Sequence, residues 1–116
     1  MEPELSHPRL SEEALALVAS RFKVLSEPHR LRLLQELEAG ERSVRDLIQA
    51  TGYTQSNVSR HLQTLAEAGM LERRKDGVSV FYRIADPTIF ELCRLMCGSL
   101  QRMLIRRGKA LEAAAA

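Results

Sequence analysis

Two groups of residues in this chain carry usable chemistry. The first lies in "YTQSNVSRHLQ" (53–63), where Thr54, Gln55, Ser56, Asn57, Ser59, Arg60 and Gln63 gather hydroxyl, amide and guanidinium groups. Such side chains satisfy the free N–H groups of a first helical turn. They also hydrogen-bond nucleic acid: Arg matches the paired acceptors of guanine, Asn or Gln the acceptor and donor of adenine, and hydroxyls either bases or phosphates. The second group is Cys93 and Cys97, at i and i+4. On a helix their Cβ atoms stand about 5–6 Å apart. That is too far for an unstrained disulfide, but two thiolates there can reach one soft ion.

The first group needs a helix with one buried face. At about 100° per residue, Val58, Leu62 and Leu65 share a face, Ser56, Arg60, Gln63 and Glu67 lie opposite, and Asn57, Ser59 and Thr64 flank them. A merely solvated outer face favours Glu and Lys; this one carries Ser, Asn, Arg and Gln. Just upstream, "SVRDLIQATG" predicts a short helix started by Ser43, burying Val44, Leu47 and Ile48 and ending at Gly52. Two such helices joined by a Gly-containing turn form a helix-turn-helix.

Two helices precede this pair. Ser11 caps one with Leu15, Val18, Phe22 and Leu25 at helical spacing; after the break at "SEP", Pro28 opens another that turns Leu31, Leu34 and Leu37 inward and stops at Gly40. Downstream, "MLERRKDGVSVFYRI" alternates on both sides of Asp76-Gly77, which predicts a hairpin whose two turn residues are that pair. Arg73, Arg74, Lys75 and Arg83 crowd it. Asp86 and Pro87 then open a last helix that runs to about Arg107. The expected fold is mainly α with a small β-hairpin, a dimeric winged helix-turn-helix in the order α-α-α-α-β-β-α.

The totals agree with one domain. The chain has 116 residues, 45% of them hydrophobic, which suffices for a modest core and not for two. Aromatics make up 4% and Trp is absent, so aliphatic side chains must build that core. A net charge of +2 means that any nucleic-acid surface depends on clustering of Lys and Arg. No stretch approaches the roughly 20 apolar residues of a membrane span, and "MEPELSHPRL" lacks the apolar region of a signal peptide. A cytoplasmic protein with no membrane partner is expected. Residues 1–10 read as a flexible arm, 11–107 as the domain, and 108–116 as a frayed or cloning-derived tail. Neither a Gly-rich phosphate loop nor a nucleophile motif is present, so an enzyme is not expected.

The DNA-contact set read from these patterns is Thr54, Gln55, Ser56, Asn57, Ser59, Arg60, His61 and Gln63 on the helix, with Arg73, Arg74 and Lys75 on the hairpin. His61 projects nearer the apolar side than Arg60 and reads either as a partly buried structural histidine or as a phosphate or cap-region hydrogen bond. The hairpin cations read either as solubility at an edge strand or as DNA-backbone contacts. In the last helix, Ile89, Cys93, Met96, Leu100 and Met103 form a stripe that Leu92, Cys97 and Leu104 widen. That exceeds what one small domain needs. With Leu15, Val18 and Phe22 it predicts a homodimer interface, and a two-fold dimer fits an inverted-repeat duplex.

"LSEPHRLRLLQEL", "YTQSNVSRHLQTLAEAGML" and "ERRKDGVSVFYRI", in this order and spacing, make the chain from about Val24 to Leu100 resemble the ArsR/SmtB family of bacterial winged-helix repressors. The resemblance implies a homodimer that occupies a promoter and leaves it when an inducer binds. It also implies that Gln55, Ser56, Asn57, Ser59 and Arg60 face the major groove. Two of the family's sensing sites do not carry over: Ser43 and Arg45 stand where one needs thiolates, and Thr88, Ser99 and Arg102 where another, beginning at Asp86, needs His and acidic ligands. Ser43 also occupies the region where the family's thiol switches place a second Cys. The one cofactor left open is a thiolate-bound metalloid or metal ion at Cys93 and Cys97, with further ligands from the other subunit or from His7. Inert packing of both cysteines is the competing reading. Rival functions are a protein-docking winged helix and a DNA-binding regulator without its own inducer site.

Overall fold

The protein is described by a computed structural model covering residues 9–108. Short polar side chains start its helices. Ser11 accepts from Ala14 N (3.1 Å) at the head of α1 (Glu12–Leu25), and Glu27 accepts from Arg30 N (3.0 Å) at the head of α2 (Pro28–Glu36). Ser43 accepts from Asp46 N (3.0 Å) before α3 (Val44–Thr51), and Thr54 from Asn57 N (3.2 Å) before α4 (Gln55–Glu67). Each bond satisfies a donor that the first turn leaves free. Asp86 does the same for Thr88 N (3.0 Å) at α5 (Thr88–Arg106), with Pro87 just outside the helix instead of in its first turn.

Between these helices lies a three-stranded antiparallel sheet of order β1-β3-β2: β1 (Arg42–Ser43), β2 (Leu71–Asp76) and β3 (Ser79–Ile84). The two-residue β1 pairs Arg42 with Tyr82 and Ser43 with Phe81. It is too short to show a period, so the order is α-α-β-α-α-β-β-α, one strand more than expected. The hairpin forms, but one residue later than expected. Asp76 pairs with Ser79, and the turn residues are Gly77 and Val78. Centring the turn on Asp76-Gly77 would need positive φ at both residues. In the register adopted only Gly77 (φ +61°) is left-handed, and among the described residues no non-glycine residue has positive φ.

The core sits between α2, α3, α4 and the inner face of the hairpin. Leu33, Leu34, Leu37, Leu47, Val58, Leu62, Leu65, Met70, Leu71, Tyr82 and Ile89 are its buried apolar residues. Two expectations change here. In α2 the inward residues are Leu33, Leu34 and Leu37, while Leu31 is exposed. Steps of three accumulate a lag of about 60° each, so Leu31 and Leu37 cannot share a narrow face, whereas Leu33 and Leu37 can. That helix also stops at its C-cap Leu37, and Gly40 (φ +140°) lies in the loop beyond. The second change is Ile89: expected at a dimer interface, it is buried in this chain's own core, because the first turn of α5 lies over that core.

Candidate nucleic-acid interface

α3 and α4 meet through a tight turn. Gly52 takes the left-handed conformation (φ +76°) that ends α3, and Thr51 Oγ1 donates to Leu47 O (2.7 Å) while accepting from Tyr53 N (3.2 Å). Thr54 then starts α4 with its hydroxyl engaged as the cap. The buried face of α4 holds Val58, His61, Leu62 and Leu65. Its outer face presents Gln55, Ser56, Arg60 and Gln63 to solvent, with Ser59 half-buried beside them. Among the described residues none of these side chains has a hydrogen-bond or ion-pair partner; at Arg60 only the backbone carbonyl is used, by Thr64 Oγ1.

An open groove of about 410 Å³ lies beside the start of this face, bounded by Ser43 of β1, by Arg45, Gln55 and Ser59 on the helices and by Val78, Ser79 and Val80 on the hairpin. Val78, at the hairpin tip, is fully exposed. Arg73 lies opposite Tyr82 and Lys75 opposite Val80. Directly opposed residues point to the same side of a ribbon. Both cations therefore share the hairpin face of Tyr82 and Val80, exposed and without an ion-pair partner among the described residues.

Three members of the expected set are placed differently. Arg74 lies on the other face of the ribbon, opposite Phe81. Its Nε and Nη2 donate to both carboxylate oxygens of Glu41 (3.1 and 2.7 Å), and its guanidinium covers the Phe81 ring at 4.5 Å. This bidentate bond holds the Glu41 carboxyl below its usual range and Arg74 above. An arginine so engaged is not free for phosphate. His61 is buried (6% exposed), facing Glu27 and His29 behind α4, away from the outer face. Burial lowers its pKa, Glu27 opposing, so the ring is neutral at pH 7 and its 3.6 Å approach to Glu27 is no ion pair. Asn57 is half-buried, and its amide oxygen is buried without a donor.

A different surface lies on the far side of the core. α1 contains no buried residue, and Leu15, Leu17, Val18 and Phe22 are exposed along it. α5 exposes Leu92, Leu95, Met96, Leu100 and Ile105; Cys93 and Met103 are half-buried and Cys97 is exposed. Burial, with Cys97 and Glu38 nearby, pushes the Cys93 thiol up. His7 lies outside the described residues. Leu17, Leu95 and Ile105 escaped the sequence pattern because they fall off the four-three stripe. Arg21, also unforeseen, reaches from α1 to donate to Ala68 O (3.1 Å) at the C-terminal end of α4. No helix among the described residues is long and apolar enough to cross a membrane.

The comparisons agree with this geometry. Residues 27–73 match the model of "Bacterial regulatory protein, arsR family". The chain is 39% identical over 103 residues to the HTH-type transcriptional regulator Rv0081 of Mycobacterium tuberculosis, covering 88% of this chain and 90% of that one. The crystal structure of Rv0081 superposes with a TM-score of 0.75 over 84% of this chain and 98% of that chain. The AntR antimony-specific transcriptional repressor is similar at 32% identity and TM-score 0.76, over 89% and 95% of the two chains. So is the homodimeric winged helix-turn-helix domain of Mb0332 from Mycobacterium bovis, solved by NMR, at 33% identity and TM-score 0.71 over 82% and 91%. With its helix-turn-helix, its flanking wing and these relatives, the chain belongs to the arsR family: it is a winged-helix, DNA-binding transcriptional regulator and not an enzyme.

Proposed function

We propose that the chain acts in the cytoplasm as a homodimeric repressor that sets two α4 helices into the major grooves of an inverted-repeat operator. The observation that carries this reading is the outer face of α4, where Gln55, Ser56, Arg60 and Gln63 stand exposed and uncommitted, with Gln55 bordering a groove closed by Val78 and Val80 of the hairpin that carries Arg73 and Lys75. Ser59 completes the base-reading row, and Thr54 leaves its cap N–H groups near phosphate. Asn57 joins only through a rotamer that turns its amide outward. Pairing through α1 and α5 is supported by their exposed leucines, Phe22, Met96 and Leu100, and by the homodimeric relative. It covers large apolar side chains that one chain leaves exposed to solvent. Half-sites are then about one DNA turn apart.

Release is assigned to Cys93 and Cys97, neighbours on the α5 face that would meet the partner. Deprotonated, they supply two soft donors to a metalloid or metal ion, and an antimony-specific relative supports that chemistry. Binding the ion releases the proton of the raised Cys93 thiol to solvent, so binding strengthens with pH. The test is fluorescence anisotropy of the reduced protein on its own promoter DNA, repeated with arsenite, zinc, copper(I) and a mild oxidant. Parent and Cys93→Ser/Cys97→Ser chains are compared. Release of the parent alone by one agent identifies the signal. Tight binding that nothing reverses removes the thiols from sensing, and absence of DNA binding removes the repressor.

A further inference from the structure

We propose that Glu27, His29 and His61 form a binding site for one divalent transition-metal ion of the zinc, nickel or cobalt class, joining the start of α2 to the back of α4. Among the described residues these form the only group of three acidic, His or Cys side chains gathered closely enough to share an ion, with one ligand atom from each lying within 4.8 Å of the others. Glu27 Oε2 is 3.6 Å from His61 Nε2, and Glu27 Oε1 is 4.0 Å from His29 Nδ1. Tetrahedral zinc with bonds of about 2.0–2.1 Å sets its donors roughly 3.3 Å apart. Small rotations of the half-exposed His29 and Glu27 close the difference, while His61 stays fixed.

His61 is the independent sign of a ligand. Its side chain is 8% exposed, it points Nε2 at Glu27 from a distance too long for a hydrogen bond, and its Nδ1 is buried without a partner. A histidine buried for packing alone is ordinarily satisfied at one nitrogen or both. Glu27 is preorganised: the Arg30 N–H holds Oε2, and Tyr53 lies against the His29 ring at 4.3 Å between centroids. Two imidazoles and one carboxylate suit the borderline metals and leave a coordination position for water. Arg30 and Arg60 act against a cation here, and the ring proton displaced to Nδ1 meets no acceptor. The site is separate from the thiol pair and independent of any operator.

The full chain, stripped with a chelator and titrated with cobalt(II) without DNA, should develop the ligand-field absorption of a tetrahedral site at one ion per chain, displaced by zinc. His29→Gln and Glu27→Gln, checked for native circular dichroism, should each weaken cobalt binding at least about tenfold, the loss that even an outer-shell partner brings. Cys93→Ser/Cys97→Ser should keep these ligand-field bands at one ion per chain, losing only any thiolate-to-cobalt charge-transfer absorption. No absorption in the parent overturns the proposal. So does absorption that survives His29→Gln, or that vanishes with the cysteines.

Discussion

α1 and α4 are nearly the same length, 14 and 13 residues, and both carry apolar side chains at helical spacing. α4 buries Val58, His61, Leu62 and Leu65; α1 buries nothing. Spacing alone therefore tells where a helix is apolar and not against which surface that face closes. On α4 the apolar face meets α2, α3 and the hairpin of the same chain, which leaves the polar face outward and rigidly backed. On α1, as on the distal part of α5, the apolar face meets solvent within one chain. The first arrangement fixes a recognition surface and the second calls for a second copy. Arg21 joins them by holding the end of α4 from α1.

The largest effect is expected in the core. Leu62→Ala should destabilise the fold by about 2–5 kcal/mol, because Leu62 is fully enclosed and its loss leaves a cavity. Denaturant unfolding followed by circular dichroism measures this; a loss below about 1 kcal/mol would mean that the back of α4 is far looser than its burial implies. Leu95→Glu tests the other half. Leu95 is 70% exposed in one chain, so the monomer fold should be unaffected. Two-fold pairing would bury two copies at about 1.5–3 kcal/mol each. Sedimentation equilibrium should then show a dissociation constant raised at least about a hundredfold. Parent-like sedimentation would remove this face of α5 from the interface.

Most elements could be read from the sequence because their starts are local chemistry: Ser11, Ser43 and Thr54 cap the helices their positions suggest. The outer face of α4 was legible for the same reason, period plus residue type. What escaped depends on distant partners. Arg74 looks like its neighbours Arg73 and Lys75 until Glu41, far away in sequence, meets it across the sheet. β1 exists only because β3 offers it a ladder. Gly77, not Asp76, opens the turn because of a one-residue register choice. Glu27, His29 and His61 come together from two helices, with no spacing to announce them.

On the recognition side, Arg60→Ala should cost about 1–3 kcal/mol at the operator and blunt discrimination between sequences, as loss of a bidentate base contact does. Anisotropy titrations against matched and mismatched duplexes decide it. If mutant and parent bind every duplex equally, Arg60 reads no base.

The smallest effects separate the two faces of the wing. Arg73→Ala should weaken all duplexes alike and lower the slope of log K against log salt by about 0.9, one phosphate contact. Arg74→Ala should change that slope much less, since its guanidinium is already held by Glu41 and lies over Phe81. Glu41→Gln then becomes the informative variant: with the carboxylate gone, Arg74 is free to reach phosphate, and the slope should steepen towards one further contact. Acid acts the same way. The Glu41 carboxyl is held below its usual range, so the pair is intact above the ordinary carboxylate pKa of about 4.3 and opens only as pH falls through the depressed value. At neutral pH the latch is therefore closed, and the difference between Arg73→Ala and Arg74→Ala should persist from pH 6 to 8. Equal slopes for the two variants would mean that DNA outcompetes Glu41 for Arg74, and that the wing presents cations from both of its faces.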